Sequence, residues 1–485
     1  MTRNKDLTVL LISLLVTVGS IGLIAAWIFP RLQTERSLPV VAGDASPSVG
    51  ETPPPDLSSL PDRISIGNRQ LIADVTTPAK REGIAAFEAR DYDKAVEWFE
   101  LSLKALPNDP ETRIYLNNAR LRSQKDKTLA IAVSVPIGTN LNIAQEILRG
   151  LAQAQDEANL KGGINGVGLE ITILDDDNNP AITREMAKLL VENNSLLAVV
   201  GHNTSDASMA AAPTYQQHGL VMISPTTFDA DVAKVGDYIF RAVPTAQSMV
   251  LPLVEYVMTR SPRSAKILVC YDSKAPDNNQ FRNAFIDALT GRGGEVVKVL
   301  NEQGEDLCDF GSQSFDAAGA IARAQEQSAT GLYLGPSINY LDPAIEVARA
   351  NAGKLPLYSS PSLYTQKILQ DGQAAVDGLI LPTPWSPDAY PRFARSAQQL
   401  WGATVNWRTA TAYDATQAVI AGLRQEATRS GLQKALKAPE FATVGAEEER
   451  VRFLDTGDRR LTPVLVQVQQ DEANRYRFRH LPADN

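Results

Sequence analysis

The chain has only two cysteines, Cys270 and Cys308, and three histidines, His202, His218 and His480, among its 485 residues. So few cysteines exclude a disulfide-rich scaffold and a cysteine-based structural zinc site. The isolated histidines leave no histidine-centred metal site. Basic charge is short as well: 47 Lys and Arg against 56 Asp and Glu give a net charge of −9. Without clustered Lys and Arg, a nucleic-acid partner is not expected. Catalytic motifs are missing too. Ser, His and Asp occur, but no motif unites them, and His202 sits inside a strand-to-loop turn. The glycines at 162–168 lack the Lys-Ser/Thr ending of a phosphate loop and follow a helix rather than a first strand, so they read as a turn. No catalytic residue, metal or cofactor is expected.

Charge is absent from residues 7–29, LTVLLISLLVTVGSIGLIAAWIF, a run of 23 residues. A membrane-spanning helix needs roughly 20 mostly apolar residues. A cleaved signal would have a shorter apolar stretch and a small-residue cleavage site, whereas here Ala25 and Ala26 run into Trp27, Ile28 and Phe29. No cysteine precedes Cys270, which leaves no lipoprotein attachment site. An uncleaved signal anchor is expected, with the N-terminus cytoplasmic and the bulk of the chain outside. Residues 30–76 then read as a Pro/Ser-rich linker, centred on 37–62, which buries too little apolar surface to offset its ordering entropy.

Residues 77–124 form a helical hairpin by pattern, turning at Arg90-Asp91-Tyr92, with a third helix from Pro110. Gly83, Ala95, Phe99 and Pro107 match the packing positions of one tetratricopeptide repeat, which this segment resembles. It is either a protein-docking surface or a structural collar.

From residue 128 short apolar strands alternate with amphipathic helices, as in parallel sheets covered on both faces. The first strands are 129–135, 169–174, 196–200 and 219–223, with one helix showing a buried face at Ile143, Ile147, Leu148, Leu151, Ala154 and Ala158. A second series has strands at 266–271, 295–300, 332–334 and 355–358. In such sheets ligands sit beyond the carboxyl ends of the strands. There the first series offers Thr139, Asn140, Ser205, Thr226, Thr227 and Phe228, and the second offers Asp272, Lys274, Ser337 and Ser362. Ser205 is expected to cap the helix that follows it. Cys270 ends a strand and Cys308 lies after its neighbour; a disulfide and two buried thiols both fit that placement.

Several runs carry a resemblance to the type I periplasmic solute-binding proteins, in the branch that binds branched-chain amino acids and amides. They are Gly162-Gly163-Ile164-Asn165-Gly166 with Asp175-Asp176 and Pro180, then Val199-Val200-Gly201-His202 with Ser205, and Val221-Met222-Ile223-Ser224-Pro225. Further on come Ala412-Tyr413-Asp414-Ala415 and Val451-Arg452-Phe453 with Asp455, Gly457 and Asp458. The resemblance covers about 350 residues and implies an α/β fold of two doubly wound lobes joined by hinge crossings near 242–247, 381–388 and 451–458. Lobe 1 would comprise 128–245 and 385–452, lobe 2 246–384 and 453–485, and this region would fold without the hairpin.

The implied function is capture of a small polar ligand, such as an amino acid or amide, by lobe closure. It would serve an ABC-type importer or a membrane sensor, with the permease or an envelope protein met through the hairpin. The resemblance places ligand contacts at Thr226 and Thr227, with Phe228 replacing a hydroxyl-bearing residue. The carboxylate that amino-acid binders set against an ammonium is replaced by Ser359-Ser360-Pro361-Ser362-Leu363-Tyr364, leaving Asp272 as a substitute. The alternative is a non-transport regulator of peptidoglycan synthesis, using the same fold for protein contacts.

Overall fold

The computed structural model describes residues 57–482, apart from 262–264, 275, 339 and 448–449. Residues 7–29 lie outside them; among the described residues no helix is long and apolar enough to cross a membrane.

A 3-10 turn, Leu57–Arg63, leads into β1 (Ile64–Ser65) and then three helices, α1 (Pro78–Glu88), α2 (Tyr92–Ala105) and α3 (Pro110–Gln124). Each helix begins on a side-chain cap: Thr77, Asp91 and Asp109 accept backbone N–H groups three residues on, the usual means of satisfying orphan donors. Gly83 lets α1 lie on α2, since a Cβ there would fall 2.5 Å from the Phe99 ring.

The first lobe alternates β2 (Thr128–Val135), α4 (Leu141–Leu160), β3 (Gly168–Asp175), α5 (Pro180–Glu192), β4 (Leu196–Val200), α6 (Ser205–Gln217), β5 (Val221–Ser224), α7 (Ala230–Ala233) and β6 (Ile239–Arg241). Its six strands run in the order β1-β3-β2-β4-β5-β6. All pair in parallel except β1, which is antiparallel to β3. Fully buried Ile131, Val133, Ile171, Val199 and Ile223 make the strands near-continuous apolar runs, as expected for sheets covered on both faces.

The second lobe follows through α8 (Ala246–Arg260), β7 (Lys266–Tyr271), α9 (Pro276–Thr290), β8 (Glu295–Val297), α10 (Ala317–Glu326), β9 (Gly331–Gly335), α11 (Asp342–Asn351), β10 (Leu357–Ser359) and β11 (Ile380–Thr383). The chain then returns to lobe 1 with α12 (Pro391–Trp401), α13 (Trp407–Gln425) and α14 (Arg429–Lys437). After the short pair β12 (Thr443–Val444) and β13 (Arg450–Val451), it closes lobe 2 with the hairpin β14 (Val464–Gln470) and β15 (Tyr476–Leu481). The lobe 2 sheet runs β15-β14-β11-β10-β9-β7-β8. Helix α13 packs closely on α4 because Gly150 has no side chain; a Cβ there would sit 2.6 Å from the Tyr413 backbone nitrogen.

Buried ion pairs fix the crossings. Arg241 donates from Nε to Asp458 at 2.8 Å, and its backbone N–H donates to the Gly457 carbonyl at 3.0 Å. Arg459 donates to Asp414 at 3.1 Å and Glu447 at 2.6 Å. Cys270 and Cys308 form a disulfide.

Two expectations change. The linker expected to run to residue 76 is packed from residue 57 onward. Leu60 and Ile72 are buried, β1 extends the sheet edge, and Arg63 pairs with Asp175 at 3.1 Å and Asp177 at 2.5 Å. Composition misses this because a two-residue strand and one arginine suffice for the attachment. Nor are the hairpin and the 128–485 region independent, since Ile114, Tyr115 and Ala119 of α3 belong to the lobe 1 core. Asn118 is the tie: its Nδ2 donates to the Ile66 and Ile171 carbonyls at 2.9 and 2.8 Å. Its Oδ1 accepts from Gln155 Nε2 at 2.9 Å and from the Ile171 N–H at 3.2 Å.

Candidate ligand site between the lobes

The carboxyl ends of β4 and β5 build a shelf of hydroxyl groups. Thr204, in extended backbone conformation, is the N-cap of α6 and accepts from the Ala207 N–H at 3.3 Å. Ser205 is therefore not the cap, a correction that follows from its place as the first helical residue. Its hydroxyl lies 2.7 Å from that of Thr227, and both side chains are buried. A pair of hydroxyls sharing one hydrogen bond retains one donor and free lone pairs. That is suited to a carbonyl or carboxylate.

The rest of the shelf is locked. Thr226 donates to the Asn203 carbonyl at 2.8 Å, and Ser224 donates to the His202 carbonyl at 2.8 Å. The Thr227 N–H donates to Ser224 Oγ at 3.2 Å, and its carbonyl accepts from Arg241 at 3.3 Å. Phe228 leaves this shelf and meets Phe281 of α9 edge-on, with centroids 4.9 Å apart, and Trp407 of α13 at 5.5 Å.

His202 is held by its neighbours. Nδ1 is 2.6 Å from Asp176 and Nε2 is 3.2 Å from the Tyr215 hydroxyl, all fully buried. Burial alone would raise the Asp176 carboxyl. The hydrogen bond and charge of His202, with bonds from Asn178 N–H and Ser134, outweigh burial and hold it below the usual carboxylate range. Both ring nitrogens are thus engaged away from any serine.

Thr139 and Asn140 are engaged locally: Thr139 donates to the Asp177 carbonyl at 2.9 Å, and Asn140 caps α4. On the lobe 2 side, Asp272 is buried and accepts from the Lys274 N–H at 2.9 Å, while Lys274 is exposed. Ser337 follows β9, and Ser362 follows β10, accepting from Ser360 at 3.0 Å. The described contacts bring Ser205 and Thr227 together; Asp272 and Lys274 share one loop.

Sequence reasoning missed the residues that join the lobes: Phe281, Tyr364, Trp407 and Arg408. Arg408 is buried, its guanidinium lies 4.4 Å over the Trp407 ring, and NH1 donates to the Tyr364 carbonyl at 3.1 Å. The one available signal was Asn406, a capping residue that starts α13 and so points Trp407 and Arg408 to its first turn. Of these residues, Tyr364 and Asn406 also line a recess of about 590 Å³, together with Glu146, Asp388, Arg395 and Arg479, among others.

The sequence pattern of the periplasmic binding protein family matches residues 128–472, more than half of the chain. The chain belongs to that family. Among similar proteins, an amino acid binding protein of Pseudomonas aeruginosa is 24% identical over 300 residues, covering 57% of this chain and 78% of its own. The Leu/Ile/Val-binding protein of Escherichia coli (strain K12) is 24% identical over 302 residues, covering 61% and 78%. The solved structure of an ABC transporter substrate-binding protein from Desulfitobacterium hafniense, in complex with Leu, superposes with a TM-score of 0.60 at 21% identity. It covers 73% of this chain and 100% of its own. The two-lobed arrangement is thus the type I periplasmic-binding-protein fold.

Proposed function

We propose that this periplasmic binding protein captures a small polar organic molecule between its lobes, outside the cytoplasm, and passes it to an ABC-type importer or reports it to a membrane sensor. The observation that carries the reading is the Ser205–Thr227 hydroxyl pair, 2.7 Å apart, on the loops beyond the strand ends. Phe228, the residue after Thr227, is the lobe 1 half of an aromatic contact to lobe 2. Relatives that bear amino-acid-binding names support the same class of ligand. Residues 7–29 would anchor the chain in the membrane, and the tetratricopeptide-like helices α1 to α3 would act as a collar on lobe 1.

The test is mass spectrometry of small molecules released on denaturing gently purified protein, followed by thermal stabilisation with whatever is found. A stoichiometric small molecule that raises the melting temperature supports capture; none released and none stabilising counts against it. A second reading, a regulator of peptidoglycan synthesis, is favoured by one feature: Trp98 and Leu101 of α2 are 37% and 48% exposed. A regulator with a degenerate cleft would show no ligand stabilisation.

A further inference from the structure

Lobe 1 carries a recess of about 580 Å³ between the end of α4, the helices α12 and α13, and the segment 443–446. Helix α4 is 20 residues long, so its last turn lies roughly 30 Å from Asn140, which starts it beside the strand ends. The recess is therefore apart from the hydroxyl shelf. Two buried rings, Phe393 and Tyr413, form part of its lining, with centroids 4.8 Å apart. Lys161, Arg392 and Arg424 line it too, each from a different helix or its cap, and all three are exposed.

The charge around this recess is unbalanced. Glu157 is the one carboxylate among its described lining residues, and neutral donors hold it: Oε1 accepts from Gln153 Nε2 at 3.2 Å and Oε2 from the Tyr413 hydroxyl at 2.8 Å. The side chains of Lys161, Arg392 and Arg424 make no hydrogen bond or ion pair among the described residues. Acids outnumber bases by 56 to 47 in the chain, and other exposed cations find them: Lys94, Lys188, Lys234 and Lys367 each reach a carboxylate at 2.6 or 2.7 Å. Helix placement accounts for two of the three, since Lys161 and Arg424 close α4 and α13, where the dipole favours a cation. Arg392 stands in the first turn of α12, where the dipole opposes one. We propose that this recess is a second binding site, for a small molecule bearing two or more acid groups, such as a polycarboxylate or a phosphate ester. Its volume falls in the range of small-molecule pockets, about 300–1,000 Å³. One exposed ion pair contributes little, so attraction accumulates only when a single molecule meets several of these cations.

The site stands independently of solute capture between the lobes, and it is tested by calorimetric titration of the whole protein with citrate, pyrophosphate and acetate at matched low ionic strength. Citrate or pyrophosphate is expected to bind, and acetate about tenfold more weakly or worse. Lys161→Gln, Arg392→Gln and Arg424→Gln should each raise the Kd of the bound polyanion roughly two- to fivefold, and the triple substitution about tenfold or more. Arg392→Lys, which keeps the charge, should retain most of the affinity. All three positions are exposed, and circular dichroism reports the fold of each variant. Binding of neither polyanion by the parent protein, or binding no tighter than that of acetate, would overturn the proposal whether or not the variants fold. So would a polyanion Kd left unchanged by the folded single and triple variants, which would put the bound molecule elsewhere on the protein.

Discussion

The ring of Phe228, at the end of the lobe 1 shelf, meets the ring of Phe281 in lobe 2 edge-on, with centroids 4.9 Å apart. Phe281 is buried and Phe228 half-buried, so the contact joins the lobes through apolar surface at the point where the hydroxyl loops end. Lobe closure in a hinged protein requires such discrete contacts in the closed arrangement. The Arg408 bond to the Tyr364 carbonyl is a second one, and polar.

Replacing both rings in turn should reveal their coupling. An edge-to-face pair contributes about 0.5–1.5 kcal/mol beyond area burial. A double-mutant cycle of Phe228→Ala and Phe281→Ala, read by urea denaturation, should return an interaction energy in that range. Strictly additive losses would show that the two rings do not support one another. Phe228→Ala should also broaden ligand specificity, because it removes the apolar wall next to Thr227.

A chain starting at residue 128 should be less stable than one starting at residue 57. It loses α3 from the lobe 1 core and leaves the Ile171 N–H and carbonyl without Asn118. Each buried group left unpaired costs about 1–3 kcal/mol. Asn118→Ala in the longer chain should show a loss of that order in thermal denaturation. Equal stability of the two chains would mean that the helices only lean on the lobe.

Much of the fold is legible in the sequence because the strands are apolar on both faces. Strands β4 and β7 have the bounds their composition suggests, and β2 and β3 differ by a residue or so at the ends. Strand β8 ends at Val297 rather than 300, since its continuation makes only an isolated bridge between Leu300 and Asp306. The hairpin of β14 and β15 passes unnoticed because one face is polar and its partner, β11, lies some 80 residues earlier in what reads as a crossing. At the site, the hydroxyl loops are legible from their position after strands. The cap falls on Thr204 rather than Ser205 because both are good capping residues and only the backbone turn decides. Arg408 is not legible at all, since its bond to the Tyr364 carbonyl joins segments 44 residues apart.

The acidic loop gives a pH signature. Burial, and then the neighbouring Asp177, push the Asp175 carboxyl from 3.8 up to about 6, against bonds from backbone N–H groups and the charge of Arg63. The folded protein therefore binds this proton more tightly than the unfolded chain. Its contribution to stability is full below 3.8 and is lost as pH rises through about 6. Asp175→Asn should flatten the stability profile between about pH 4 and pH 7. An unaltered profile in chemical denaturation across that window would contradict the assignment.

The Cys270–Cys308 disulfide closes a loop spanning 38 positions, and both cysteines are fully buried. Constraint of the unfolded chain by a loop of that size is worth about 2–4 kcal/mol. Replacing both cysteines with alanine should lower stability by roughly that amount, read as a shifted urea midpoint. Mild reductant should leave the native protein oxidised until it is unfolded. Rapid alkylation of the native protein after reduction would show that the bond is accessible.

Solute capture on the hydroxyl shelf is tested most directly by equilibrium titration of the co-purifying molecule into parent, Ser205→Ala and Thr226→Ala proteins. Polar contacts to a buried ligand contribute about 0.5–1.5 kcal/mol each, and up to about 3 when charged. Ser205→Ala should therefore raise Kd several-fold to about a hundredfold, with unchanged circular dichroism. Thr226→Ala should act similarly or more mildly, because that hydroxyl already donates to the Asn203 carbonyl. If both folded variants bind with the parent Kd, the molecule is not held by these loops, and capture at the shelf is contradicted.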